Sequence, residues 1–456
     1  MSFVDNLSIR INYFRLSGPR FSVAIPDTRL PDMEIFVIRT DLTFVLNSEI
    51  FCLGGRILNN HNRTGWIVVL AGTGINLTFG VLYSWSIFAG NITQSQGWSS
   101  TQASLPYTFA ILFFALLMIP GGRLQDLFGA RLVSTVAGIL VGTGLIIASF
   151  FPSVTGMVIG FGVLAGSGIG MGYASTTPAA IKWFPPQKKG LITGIVVAGF
   201  GLASLYIAPL TRFLISSFGI LNAFRTLGIA FMIVVVFLAQ FLKTPENPII
   251  HINCPATSTP AASRDYTWRE MVRTPQFLQM WVMFAAGALA GLMVIGHLSK
   301  IASIQTGQDI GFLLVAAIAI FNSAGRPMAG MISDRLGRSK TMMFLYLCQG
   351  AVLLAFPLFR SFGTILFGAG VVTFAYGAML SVYPSAVCDF YGTKNLGLNY
   401  GILFTAWGVG GIVGPILAGA IVDSTGRYIW AYMAAGTFCF VAAVMGWMIK
   451  PMPVGS

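Results

Sequence analysis

The sequence predicts an all-α integral membrane protein, with twelve transmembrane helices in two pseudo-symmetric six-helix bundles. Three observations predict it: an apolar composition, twelve apolar stretches of membrane-spanning length, and a repeat relating the first six to the last six. Of 456 residues, 55% are hydrophobic and 9% charged, with mean hydropathy +0.78; soluble domains carry roughly 25% charged residues. The formal charge of +13 does not point to nucleic acid. The charges are sparse and fall at the ends of apolar runs, where they act as topology signals. Cys52, Cys254, Cys348, Cys388 and Cys439 are scattered, with no C-x-x-C spacing, so neither a metal site nor a disulfide framework is indicated. No hydrolase elbow accompanies the Ser, His and Asp residues, so the sequence gives catalysis no support and calls for no cofactor.

In chain order the apolar stretches are 66–90, 98–121, 131–151, 154–181, 189–215 and 220–242, then 276–299, 310–332, 340–360, 361–387, 396–422 and 427–449. Each is long enough to cross a hydrocarbon core of about 30 Å. These set the expected domains, a first bundle over 66–242 and a second over 276–450. Between them 243–275 holds Pro245, Pro248, Pro255 and Pro260 among polar residues and reads as a cytoplasmic linker. Residues 1–60 are mixed in character, too broken to span and unlike a signal peptide. They read as a disordered extension or as upstream sequence, with the functional start near Leu53. If the segment before the first stretch is cytoplasmic, 16 Lys and Arg face the cytoplasm against 5 on the other side, which favours both termini inside.

The repeat is explicit. "GRLQDLFGAR" (122–131) answers "GMISDRLGR" (330–338), with Asp126 and Asp334 lying 208 residues apart. "ASTTPAAIKWF" (174–184) answers "LSVYPSAVCDF" (380–390) at an offset of 206, which also carries Pro209 onto Pro415. Two six-helix halves with substrate held between them is a transporter design. Over about 66–450 the chain resembles the major facilitator superfamily, whose G-x-x-x-D-R-x-G-R signature is similar to both loops. The second copy is close; the first has Leu127 where Arg is usual and Ala130 before Arg131. Physically, Gly122 and Gly330 let helices approach. Asp126 with Arg131, and Asp334 with Arg335 and Arg338, can pair across adjacent helices and latch a cytoplasmic gate.

Arg326 poses the functional question. It lies 16 positions past Ile310, about 24 Å along a helix at 1.5 Å per residue, on the cytoplasmic side of the midplane. A charge there is costly and is normally paired or functional. The 14 acids of the chain include none in the middle of a stretch, so a substrate carboxylate is the expected partner, which Arg suits by bidentate geometry. The alternative is snorkelling to the cytoplasmic face or capping carbonyls freed by Pro327. "GVLYSWSIF" (80–88), "NSAGRPMAGMISDRLGR" (322–338) and "NYGILFTAWGVGG" (399–411) resemble the oxalate/formate antiporter family, and more distantly the monocarboxylate porters. That resemblance implies Arg326 as the anion-binding arginine. The monocarboxylate porters carry an Asp where Asn322 stands, which counts against the proton-linked role. The oxalate-specific member adds a helix-11 lysine, whereas this chain has no Lys between 395 and 449 and places Trp407 there. One buried cation suits a small monocarboxylate such as formate, lactate or pyruvate.

Aromatic residues with polar tips would complete the pocket: Tyr83, Tyr376 and Trp407 first, with Tyr107, Tyr173 and Tyr206 also within stretches. Interfacial anchoring or packing is the competing account of each. "GSGIGMG" (166–172) and "GVGGIVGPILAG" (408–419) are read as helix-packing glycines, the latter with a bend at Gly-Pro. His297, near the outer end of the seventh stretch, is a possible proton carrier or an interfacial residue. The expected activity is alternating-access antiport of small organic anions. Proton-linked symport and a carboxylate sensor without turnover are the alternatives. The expected partners are a carboxylate substrate and the lipid bilayer, with no nucleic acid and no obligatory protein partner evident.

Overall fold

A computed structural model describes residues 63–245, 265–308 and 311–449. The extension over 1–60 and residues 246–264 of the linker lie outside the described residues. The described chain forms twelve helices long and apolar enough to cross a membrane. They are α1 (Arg63–Thr93), α2 (Thr101–Phe128), α3 (Ala130–Phe150), α4 (Val154–Ile181), α5 (Pro186–Phe218), α6 (Ile220–Ala239), α7 (Pro275–Thr306), α8 (Leu313–Leu336), α9 (Arg338–Leu358), α10 (Phe362–Tyr391), α11 (Leu396–Thr425) and α12 (Ile429–Met448). Hydropathy alone located all twelve, because a spanning helix must satisfy its backbone internally and meet lipid with apolar side chains. Leu70, Leu116, Phe237, Ile416 and Trp447 are among the large apolar residues exposed on the outer faces.

Helix ends follow local chemistry. Ser99, Ser153, Thr274 and Ser361 accept a backbone N–H of the first turn as N-caps. The repeated loops turn at Gly129 (φ +83°) and Gly337 (φ +89°), a left-handed conformation a side chain would strain. That accounts for the glycine at the same place in both signature copies. Two helices depart from α geometry in their interiors, with a 3-10 turn over Gly80–Ser84 in α1 and a π-helical segment over Val158–Ala165 in α4, while α5 begins and α9 ends in a 3-10 turn.

Within each half the pairing repeats: α2 packs on α4 as α8 packs on α10, and α3 on α6 as α9 on α12. The halves meet along two seams, α5 against α8 and α2 against α11. Glycines make both seams possible. In α5, Gly190, Gly194 and Gly201 face α8; a Cβ on Gly190 would lie 2.3 Å from Gly330 O, and one on Gly194 would lie 2.4 Å from Arg326 O. In α11, Gly397, Gly401 and Gly408 face α2, where Cβ atoms would lie 2.5 Å from Gly122 O and 2.4 Å from Met118 O at the first two. The two triplets share their spacing, so the sequence repeat is also a repeat of backbone-to-backbone contact.

Candidate anion site and gate

At the end of the molecule carrying the signature loops, the two seams are shut. Asp334 of α8 accepts from Gly190 N at 2.8 Å and Leu191 N at 2.9 Å. Asp126 of α2 accepts from Gly397 N at 3.1 Å and Leu398 N at 2.9 Å. Each carboxylate thus caps the first turn of a helix in the opposite half, where orphan N–H groups and the helix dipole favour an anion. The α5–α8 seam adds charge. Arg338 reaches Asp334 at 2.8 Å and Asp389 of α10 at 2.8 Å, and Lys189 of α5 reaches Asp389 at 3.2 Å. Arg338 Nη1 also donates to Ser333 Oγ. Two acids and two bases, all largely buried, therefore bolt one seam while the other rests on two backbone bonds.

Of the residues the signature named, Gly122, Asp126, Gly330, Asp334 and Arg338 lie in these seams. Arg131 instead donates to Gln240 at 2.7 Å within the first half. Arg335 is exposed. Of the Asp–Arg pairings expected between adjacent helices, Asp334 meets Arg338, which also takes Asp389 as a second acid. Sequence reading missed Lys189 and Asp389 as a pair, because 200 residues separate them.

Between the halves, on the other side of this closure, lies a cavity of about 590 Å³. It extends from Gly201 and Asn322 toward Ser299 and Val315, near the opposite helix ends. Tyr83, Tyr107 and Asn322 line it. Arg326 sits one turn from Asn322, 0% exposed. Its Nη1 donates to Val197 O of α5, and its Nη2 to Asn322 Oδ1 at 3.3 Å. Its Nε is buried with no hydrogen-bond partner, and no carboxylate among the described residues pairs with it. Three phenols, Tyr173, Tyr376 and Tyr400, lie within electrostatic reach. The Oδ1 contact also orients Asn322, leaving its Nδ2 as a donor beside the cavity.

Tyr376 and Trp407 pack behind the cavity, where Trp407 Nε1 donates to Tyr376 Oη at 2.9 Å. Trp407 stacks on Phe404 and meets Phe114, both buried. Tyr173 packs against Phe114 and Phe200 in the same cluster. Tyr206 belongs elsewhere: it is half-exposed at the outer face, and its hydroxyl donates to Leu77 O at 3.0 Å. His297 Nε2 donates to Pro415 O at 3.0 Å while Nδ1 meets Tyr428 Oη at 2.9 Å. Both ring nitrogens of His297 are thus engaged in bonds between α7, α11 and the start of α12.

Repeat symmetry sharpens what is special here. The offset of 208 that superimposes Asp126 on Asp334 puts Met118 opposite Arg326 and Phe114 opposite Asn322. Both counterparts are buried and apolar. At the level of Arg326 the interface between halves therefore carries its cation on one side only.

The sequence model of the Major Facilitator Superfamily matches residues 68–314 and 298–455, most of the chain. The chain belongs to the major facilitator superfamily. It is 30% identical over 359 residues to an uncharacterized MFS-type transporter, YhjX, of Escherichia coli K12, covering 78% of this chain and 87% of that one. It is 29% identical over 388 residues to the oxalate:formate antiporter of Oxalobacter formigenes, covering 82% and 90%. Among solved structures, the proton:xylose symporter XylE bound to 6-bromo-6-deoxy-D-glucose has the same fold, with TM-score 0.67 at 14% identity, covering 86% and 97%. The chain is thus a multi-pass membrane transporter of this superfamily.

Gly201 is a site residue that sequence reading missed, and nothing in a chain with 53 glycines singles it out. It lines the cavity at the point where Arg326 lies behind the wall. A Cβ there would lie 2.6 Å from Ser323 Oγ, 3.2 Å from Arg326 Cζ and 3.3 Å from its Nε. Gly201→Ala should screen the guanidinium and displace it. We expect substrate affinity to fall about tenfold, the effect of one weakened charged hydrogen bond, with unchanged yield of folded protein. Equilibrium binding beside size-exclusion chromatography checks it; unaltered affinity would place Arg326 outside the binding path.

Proposed function

We propose that this transporter exchanges small organic anions bearing one carboxylate across the membrane by alternating access. One observation carries the reading: Arg326 is a fully buried cation, held between the halves with a free Nε and without a carboxylate partner among the described residues. A buried guanidinium of this kind is costly unless an anion completes it. A substrate carboxylate near Asn322 and Gly201 would do so, with hydroxyls of Tyr83 and Tyr107 beside it. The apolar counterparts Met118 and Phe114, and Trp407 in α11, leave no second cation for a dianion. The likeness to the oxalate:formate antiporter supports an organic anion.

Antiport is supported by where the acids lie. Among the described residues Asp126, Asp334, Asp389 and Asp423 stand at helix ends, and none stands in mid-span as a proton carrier. His297 is occupied by Pro415 O and Tyr428. The excess of Lys and Arg on the signature-loop side assigns that side to the cytoplasm. On that assignment the cavity faces outward and the cytoplasmic gate is closed. Substrate arriving from outside would neutralise Arg326 and let the seams rearrange.

Tracer exchange in proteoliposomes tests the reading. Uptake of a labelled monocarboxylate should require an unlabelled monocarboxylate inside and be insensitive to an imposed pH gradient. Uptake into empty vesicles driven by that gradient would overturn antiport. Carboxylate binding without flux would identify a sensor, and absence of both would remove the carboxylate reading.

A further inference from the structure

We infer that the substrate is a monocarboxylate with an extended apolar body of about five to eight carbons, and not an acid as small as formate, lactate or pyruvate. The inference rests on the carboxylate reading above and adds which acid the site fits. It starts from volume. At about 30 Å³ per water, 590 Å³ holds the liquid volume of about twenty waters. Formate or lactate would leave nearly all of that space to solvent. Closure around so small a ligand would leave a void without dispersion contacts, or water held against apolar walls. An acid of the proposed size, at roughly one water's volume per carbon, takes up between about a quarter and two fifths of the cavity and leaves room for the walls to close.

The second observation is the division of polarity along the cavity. The polar end consists of Tyr83, Tyr107 and Asn322, with Arg326 behind. Neither tyrosine hydroxyl has a hydrogen-bond partner among the described residues, and the two lie within electrostatic reach of each other. They and Asn322 Nδ2 are donors on the cavity lining available to one carboxylate. The remaining walls are mostly apolar, with Leu82, Trp85, Ile295, Val315 and Ile318 beside the hydroxyls of Ser204, Thr373 and Ser299. The polar atoms among them are mostly already committed. Ser204 Oγ donates to Gly201 O at 3.1 Å, Thr373 Oγ1 to Ala369 O at 2.7 Å, and Trp85 Nε1 to Ala103 O at 2.9 Å. A hydroxyl-rich or doubly charged substrate would find few free donors on these walls, whereas an alkyl or aryl body would find apolar surface over its length.

The test is equilibrium binding of straight-chain monocarboxylates, formate through octanoate, to the purified protein in nanodiscs. The alcohols of matching length serve as controls. We expect Kd to fall about fourfold per methylene, the value for burying apolar surface, up to a chain of about five to eight carbons, where the closing walls leave no further room. Each alcohol should bind at least about thirtyfold more weakly than its acid, as expected when a charged hydrogen-bonding group is lost. Ala319→Phe, at the cavity wall, should stop the gain at a shorter chain length, which partition into lipid would not do. A series flat in chain length, or a Phe variant with an unshifted break, overturns this inference and leaves the carboxylate reading intact. Alcohols binding as tightly as acids, or no acid binding at all, overturn the parent reading and this one with it.

Discussion

Arg326→Gln should abolish carboxylate exchange while raising thermal stability. In the resting protein this guanidinium is fully buried, donates to Val197 O and Asn322 Oδ1, and leaves Nε unmatched. The desolvation of that charge is opposed by one carbonyl and one amide, without an opposing carboxylate among the described residues. Replacing an uncompensated buried charge by a neutral group relieves strain in the folded state. Truncating one partner of a buried, hydrogen-bonded charge pair costs about 2–5 kcal/mol of binding, which is about thirtyfold to several thousandfold in affinity. Arg326→Lys is the informative companion. It retains the charge, but a single ammonium on a flexible stem cannot hold Val197 O and Asn322 Oδ1 together and still present a donor to substrate. We expect at least a hundredfold loss of exchange in both variants, with a higher melting temperature for Gln than for Lys. Exchange at the native rate in the Gln variant would make Arg326 structural.

Arg326 and the gate also mark the limit of what the sequence conveys. A lone arginine flanked by apolar residues is visible without coordinates, since the bilayer forbids it a casual place. So are the twelve spans, because a transmembrane helix is long, apolar and locally determined. The signature glycines and aspartates are legible for a similar reason: a turn at positive φ and a helix N-terminus each demand a particular chemistry. What is not legible is a partner that looks like every other atom of its kind. Val197 O is one backbone carbonyl among hundreds, and Gly201 one glycine in a glycine-rich chain. The Lys189–Asp389 contact depends on how α5 crosses α10, which no local pattern encodes. Arg131 shows the converse error. Its place in the motif suggested a gate, but α3 and α6 pack closely enough that Gln240 takes it.

The closed seams differ in kind, and their opening energies should differ accordingly. Asp334→Asn removes the charge and one of the two acceptor oxygens that serve Gly190 N and Leu191 N, and leaves Arg338 with Asp389 as its remaining acid. Breaking a buried ion pair by removing one partner costs about 3–5 kcal/mol, so the open population of this face should rise by at least a hundredfold. Asp126→Asn sacrifices only charge-assisted bonds to Gly397 and Leu398, worth about 1.5–3 kcal/mol when lost, and part of that is retained by the amide oxygen. Its effect should be nearer tenfold. A native reporter exists: Cys388 is 1% exposed on α10, beside Lys189 and Asp389. With the other four cysteines replaced by serine, alkylation of Cys388 by a polar maleimide in nanodiscs measures how often the α5–α8 seam parts. The rate should follow the open population, with Asp334→Asn far above Asp126→Asn and both above the parent. Gly330→Ala gives an independent lever. A Cβ at position 330 would lie 2.0 Å from Gly190 O across that seam. It should therefore open the face by steric force with every charge intact, matching Asp334→Asn in alkylation. Equal alkylation of the two aspartate variants would mean that the charged cluster adds nothing to the closed state.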